Sequence, residues 1–427
     1  MAGITEKKGS DLGQDEIKEI LGTYFTSESI PSDLTDLTKI LKTKTGGYDV
    51  ALSEVLNGVT VGSTTPPGSG GGGETLLGPN GKLLVNQTTV AEITNDKIVG
   101  EDKFGNQVVI PAGFKLAQGA NGSGETVKDG IVIDDGVGNQ YVWIPVSNIN
   151  HDGSNKIKVN SADEEGVEIT LGRYTFNTSS PGNPTLAANS YQYANSYSTP
   201  VTIESYYQEL TEYRQSNGLS NKTGTNTTAR GKKQADNSYN GIQGFIESVA
   251  DNKGYYIARY EASYRANGKA GSIPSISSSE TLALTRAPVS RTPGDLWNFV
   301  KQGEAATACY DLYTTVNSDL MNSYAWDTAI VYIQAMGNTN YANAYDPNGT
   351  LRNTGATGDE KCKIFDMAGN EIEWTTEYST NAAGSIAYPC VSGGGGFDYS
   401  YYYARHRSYS RASDADMAYS FRPALYL

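Results

Sequence analysis

Apolar positions along this chain change texture three times. Up to residue 58 they recur at helical spacing. Ile17, Ile20, Leu21 and Phe25 share one face of a first segment, and Leu34, Leu37, Ile40 and Leu41 share one face of a second. Ser32 or Asp33 supplies the N-cap of that second helix. A third, weaker helix is predicted over residues 48–56, closing at Asn57-Gly58. Three short amphipathic helices enclose only a small core. Residues 1–60 therefore read as an attachment or oligomerisation region that packs against a partner or against copies of itself. Pro66-Pro67 and the glycine run after it predict a linker over residues 61–75 and a domain boundary there.

From about Leu76 the pattern shortens to the period of strands. Residues 108–117, 129–135 and 139–146 are runs of β-branched and aromatic residues set between Gly and Asn. Residues 150–240 are polar and weakly periodic, which predicts surface insertions with one helix over 203–214. Beyond them the pattern predicts a helix over 242–250 and a strand over 255–263. Two more helices are predicted near 294–301 and over 326–336. Residues 76–427 thus read as one large domain of mixed α+β class.

The third texture is the C-terminus. From Ser392 to Leu427 seven positions are Tyr, and from Tyr378 onward the chain has no Lys, Glu, Gln or Trp. Cores are built from aliphatic residues at period 2 or 3.6, and this segment is not. Its composition suits a contact surface. Tyr offers a large, stiff, half-polar ring with little rotamer entropy to lose, and Ser, Gly and Asp adapt around it. Tyr399, Tyr401, Tyr402 and Tyr403 cannot all point inward, because alternate side chains of a strand face opposite ways. With Asp398 and Ser400 they form the first half of the candidate ligand-binding set. His406, Tyr409, Ser413, Asp414, Asp416 and Tyr419 form the second half. Phe421 and Arg422 are assigned to the frame, the Arg satisfying buried carbonyls or a carboxylate. Trp143, Trp297, Trp326 and Trp374 are expected in the core.

Composition narrows the class. Charged residues make up 19% of the chain, with 48 Gly and 30 Tyr, a profile that suits a loop-rich extracellular or virion protein. A net charge of −14 argues against a nucleic-acid or anionic-membrane partner. No 18-residue apolar stretch predicts membrane insertion, and the first residues lack the apolar run of a signal peptide. Release by lysis within a phage particle is the expected route out of the cell. Cys309, Cys362 and Cys390 have no metal-ligand spacing, and one disulfide or three thiols both fit the sequence. The basic insert near Asn221 to Lys233 reads as a solvated loop.

Several blocks then fall in one order: GNQYVWIPV (138–146), GYYIARYEAS (254–263), APVSRTPGDLW (287–297), IFDMAGNEIEWTTE (364–377), the glycines 393–396 and SFRPALYL (420–427). This order resembles the formylglycine-generating-enzyme version of the C-type lectin fold, with DMAGN-x-x-EW as the most specific element. The resemblance covers roughly residues 105–427 and implies that fold. Its enzymes hold copper with two Cys between the glycine strand and the terminal motif. Between Phe397 and Phe421 this chain has no Cys, so a soft thiolate site cannot be formed there and an oxidase is disfavoured. Related enzymes bind calcium near the DMAGN turn, which makes Asp366, Asn370 and Glu373 candidate ligands of a structural calcium. No other cofactor is implied.

The same fold also serves the variable proteins of diversity-generating retroelements, whose C-terminal stretch is rewritten at template adenines. Codons AAC or AAT changed at their adenines yield Tyr, Asp, Ser, His, Arg, Ala, Gly or Asn, never Lys, Glu, Gln, Met or Trp. Between Phe397 and Tyr419 only Met417 falls outside that set. The resemblance therefore implies a ligand-binding protein without catalysis: a phage tail-tip adhesin, or one displayed on a bacterial cell surface. Its partner would be a protein or glycan receptor on a bacterium, and relatives on tail fibres imply a homotrimer. A purely structural virion or surface protein, its Tyr-rich end packed on a neighbour, is the competing class.

Overall fold

The computed structural model describes residues 40–42, 49–51, 81–85, 90–149, 155–160, 165–177, 179–180, 182–187, 190–194, 200–206, 241–263, 296–309, 312–346, 349–379, 390–398, 402–411, 414–415 and 417–427. The chain divides into two compact units, Met1–Gly72 and Gly73–Leu427.

In the first unit β1 (Ile40–Lys42) pairs antiparallel with β2 (Asp49–Ala51), Leu41 opposite Val50. This corrects the helical reading at those residues. Ile40 and Val50 are β-branched and suit a ladder, and the Thr-Lys-Thr-Gly-Gly run between the strands disfavours a continuous helix. The helix expected around Ile17 to Phe25 and the linker over 61–75 lie outside the described residues.

The second unit is mostly sheet with few helices, a mixed content consistent with the α+β class. It begins with the antiparallel pair β3 (Ile98–Glu101) and β4 (Gln107–Ile110), followed by β5 (Lys115–Leu116), β6 (Val132–Asp134) and β7 (Gln140–Pro145). Next come β8 (Arg173–Thr175), β9 (Thr185–Ala187), β10 (Ser190–Ala194) and β11 (Pro200–Tyr206). Then α1 (Gly241–Asn252), β12 (Gly254–Ala258), α2 (Gln302–Cys309), β13 (Asn317–Leu320) and α3 (Ser323–Ala335) follow. The chain closes with β14 (Glu360–Lys361), β15 (Ile364–Phe365), β16 (Ile372–Ser379), β17 (Cys390–Gly393), β18 (Arg407–Ser410), β19 (Tyr419–Phe421) and β20 (Pro423–Tyr426).

Two six-stranded sheets organise these elements. In the first, the order is β13-β20-β12-β7-β6-β5 with every pairing antiparallel. Its central strand β12 is buried at all five positions, so both faces are covered. Burial obliges its phenols to find acceptors. Tyr255 donates to Ala325 O at 2.8 Å and Tyr256 to Val109 O at 2.9 Å. In the second sheet the order is β10-β11-β16-β17-β18, and β19 lies parallel to the start of β16. Strands β19 and β20 are consecutive yet belong to different sheets, with Arg422 the single residue between them.

All four Trp are buried. Trp143 and Trp326 belong to the main core with Tyr256 and Ile330, while Trp297 and Trp374 form a smaller core with Leu320 and Phe421. Strand β12 and helices α1 and α3 fall where periodicity places them, within a few residues. Two helices do not. Residues 200–206 form β11, not the start of a helix, because Val201, Thr202 and Ile203 are a β-branched run; residues 207–214 lie outside the described set. Of the helix expected near 294–301, residues 296–301 are irregular and helix begins only at Gln302, since Phe299 sits at φ 54°, which no α-helix accommodates. Within 150–240, β10 and β11 join the second sheet. Among the described residues no helix is long and apolar enough to cross a membrane.

Candidate ligand-binding surface

The Tyr-rich segment rests on a platform built by α3 and the residues after it. Asn322 caps α3, its side chain accepting from Ala325 N at 2.9 Å. This helix is buried on most sides and carries Trp326 and Asp327 toward the C-terminal segment. The Trp326 indole N–H donates to Ala404 O at 3.0 Å. Asp327 accepts from the Arg407 guanidinium of β18 and, at 2.8 Å, from Tyr174 N. Burial pushes the Asp327 carboxyl above its ordinary value, and Arg407 opposes that shift.

The platform dictates Gly393, and the turn that follows dictates Gly395. A Cβ on Gly393 would lie 2.8 Å from the Trp326 ring, and one on Gly395 would lie 2.2 Å from Tyr402 O. Only a residue without a side chain lets strand β17 leave the sheet so close to the indole and to the Tyr402 backbone.

The turn over residues 402–406 is held through its main chain. Ala404 N donates to Ala344 O at 2.9 Å, and Arg405 N to Ala342 O at 3.1 Å. His406 N returns to Tyr403 O at 2.7 Å, and Gly394 N donates to His406 O at 3.0 Å. Side chains then decorate a fixed backbone. Tyr402 stacks on His406 with centroids 3.9 Å apart and planes 10° apart. Tyr403 meets Tyr345 edge-on at 5.8 Å, and the Arg405 guanidinium lies 4.8 Å from the Tyr403 ring centre. Arg405 Nε also donates to Asn343 Oδ1 at 2.6 Å.

The candidate set is placed unevenly. Asp398 is exposed, and Tyr402, Tyr403, Asp414 and Tyr419 are half-buried. Tyr419 lies flat on Trp374 at 4.4 Å and shares a 2.6 Å hydrogen bond with the Ser410 hydroxyl. Asp414 accepts from Arg411 N at 2.8 Å and closes a surface turn. Tyr409 pairs with Val391 in the ladder between β17 and β18. Tyr399, Ser400, Tyr401, Ser413 and Asp416 lie outside the described residues. His406 is a correction. It is only 2% exposed, because the 404–405 turn directs it inward beneath Tyr402, so it does not stand on the surface as expected. Met417 is exposed at 45%.

Asp366, Asn370 and Glu373 are each engaged by protein groups. Asp366 accepts from Gly355 N at 2.5 Å and from the Thr357 hydroxyl. Asn370 accepts from Arg352 N at 2.9 Å and donates to Glu261 at 2.6 Å. Both Glu373 oxygens face Arg422. Asp366 and Asn370 adopt φ of 62° and 68°, a region Asp and Asn tolerate better than most residues. The turn thus clasps residues 352–357 through these hydrogen bonds. Among the described residues no three His, Cys, Asp or Glu side chains converge to hold a metal. Cys309 and Cys362 carry free thiols.

Sequence reasoning placed Trp326 in the core without its place beneath the turn, and missed Asp327 beneath it and Asn343 and Tyr345 beside it. They lie some 60 to 80 positions upstream in ordinary helical or polar context. Only the indole and the DMAGN motif carried any local signal.

No family model and no curated protein matches this chain. Among solved structures the chain is similar to variable protein 1 of Treponema denticola, at 16% identity over 56% of this chain and 93% of that one, with a TM-score of 0.21. That score is too low to establish a common fold.

Proposed function

We propose that this chain is a ligand-binding protein that displays a diversified Tyr-rich C-terminal surface on a C-type-lectin frame, working as a phage tail-tip adhesin for host attachment. The observation that carries the reading is how the 402–406 turn is held. Its anchors to Ala342, Ala344, Gly394 and Trp326 all run through backbone N–H and C=O groups of the turn. Side chains at 402 and 403 can therefore change without loosening the frame. A surface whose contact residues are rewritten needs that property.

Binding is non-covalent in this reading, with no reaction catalysed. Tyr rings bury apolar area against a protein or glycan receptor on a bacterial cell, while Ser, Asp and Arg select partners by hydrogen bonding. Copies assembled as a homotrimer would raise weak single-site affinity through avidity. Sequencing the DNA of the gene's 3′ end and its downstream flank tests the reading. A near-copy of the segment differing only opposite template adenines, beside a reverse transcriptase gene, is the expected result. A flank with no such copy removes the diversification and leaves a fixed Tyr-rich surface.

A further inference from the structure

Directly beside the Tyr403–Arg405 turn runs an open groove of about 660 Å³, bordered by Asn338, Thr339, Asn340, Asn343 and Lys361. Its volume lies within the roughly 300–1,000 Å³ of small-ligand clefts. A smaller cleft of about 210 Å³ adjoins it across Ala344 and Lys361 and includes Tyr345, a residue 44% exposed. These residues belong to the segment after α3, not to the Tyr-rich C-terminus. The segment is nevertheless fixed to that terminus by the Ala342, Ala344 and Asn343 hydrogen bonds to residues 404 and 405.

The lining defines a ligand chemistry. It offers the carboxamides of Asn338, Asn340 and Asn343 and the hydroxyls of Ser179 and Thr339, which both donate and accept. Its ammonium, Lys361, is already matched, lying 3.9 Å from the Asp359 carboxylate and donating to Glu360 O at 3.2 Å. With a carboxylate beside that ammonium, the groove offers an anion less than a lone cation would, and its uncharged donors and acceptors suit a neutral polyhydroxyl compound. In the adjoining cleft the partly exposed Tyr345 supplies apolar ring surface for the C–H side of a sugar ring.

We propose that this groove is a saccharide subsite: a wall of fixed residues that holds a neutral sugar unit while the adjoining Tyr402–Arg405 turn sets which receptor is engaged. The inference rests on the binding reading above. It differs from that reading in assigning ligand contacts to Asn340, Thr339 and Tyr345, outside the C-terminal segment.

The test is a printed array of neutral and acidic oligosaccharides probed with the full chain and with the variants Asn340→Ala, Tyr345→Ala and Tyr403→Ala. Asn340 is exposed and its side chain caps no helix, so its replacement leaves folding intact. Thermal melting of each variant verifies this. The expected result is binding of neutral glycans that falls at least tenfold in Asn340→Ala and Tyr345→Ala at unchanged melting temperature. Glycan binding lost only in Tyr403→Ala would overturn the subsite while sparing the binding reading. Binding of acidic glycans alone, or of none on the array, overturns the subsite as well. The template-copy test above stands apart from every one of these results.

Discussion

Arg422 is the single residue between β19 of the second sheet and β20 of the first, and its guanidinium grips both carboxylate oxygens of Glu373 in β16. The same side chain donates to Ala258 O of β12 at 3.1 Å and to Phe365 O of β15 at 3.0 Å. One fully buried cation thus ties both sheets and the strand before the DMAGN turn. A planar fork with five donors fits this role, and an ammonium does not.

Removing one partner should therefore cost far more than a surface ion pair. Arg422→Ala or Glu373→Ala strands a charge in the core and is expected to destabilise the protein by about 3–5 kcal/mol. Arg422→Lys should recover little of this, because a point charge cannot reach a carboxylate and two carbonyls at once. Urea denaturation of the three variants checks the prediction, and a loss below about 1 kcal/mol in both alanine variants would overturn it.

Glycine 395 fixes the path of the Tyr-rich turn. Gly395→Ala would put a methyl group into the Tyr402 and Ala368 carbonyls. Backbone must move, at an expected cost of about 1–3 kcal/mol. The displaced turn should also weaken receptor binding, although residue 395 points at no ligand. Denaturation and binding measured together test this: unchanged binding with lowered stability would show that the turn does not follow Gly395.

How much of this was legible in sequence depends on the distance over which each device acts. The DMAGN motif, the four Trp and the glycine run were readable because each is a local demand: a positive-φ turn, a large ring, a missing side chain. Arg422 was readable as a frame residue, since a charge in a closing apolar strand needs a partner, though the identity of Glu373 was not. Strand β11 was misread because its β-branched run is short and sits in polar sequence. His406 was misread because composition marks a contact-rich segment without saying which way a turn points each side chain. The groove beside Tyr403 left no signal, because Asn338, Asn340 and Asn343 read as an ordinary polar loop until the fold sets them against residues 404–405.

Acid should stabilise this protein over part of its range. Burial pushes the Asp366 carboxyl up to about 6 from an ordinary 3.8, against hydrogen bonds from Thr357 and Gly355 that lower it. Burial likewise raises Glu261, and the neighbouring Asp366, Glu371 and Glu373 carboxylates add to that. With the folded value above the unfolded one, the folded state binds the extra proton. The contribution is full below about pH 4 and lost as pH rises through about 6. Melting temperature should thus rise from pH 7.5 to pH 5, and Asp366→Asn should flatten part of that rise. A melting temperature that falls over this window contradicts the assignment.

The last prediction separates contact from frame. Tyr403 is half-buried and touches only Tyr345 and Arg405 among the ring and cation contacts described. Its backbone, like that of its neighbours, is held independently of its ring. Tyr403→Ala should change stability by no more than about 1 kcal/mol, the scale of one aromatic pair. A central Tyr in a contact surface commonly costs about 2 kcal/mol or more of binding when truncated. Trp326→Ala acts on the frame instead. It empties the space beneath Gly393 and Gly394, removes the hydrogen bond to Ala404 O, and should cost about 3–5 kcal/mol of stability with binding lost as a consequence. Calorimetric melting and receptor titration of the two variants distinguish these roles. If Tyr403→Ala instead lowers melting as far as Trp326→Ala does, the ring is packing and the Tyr-rich turn belongs to the structural class.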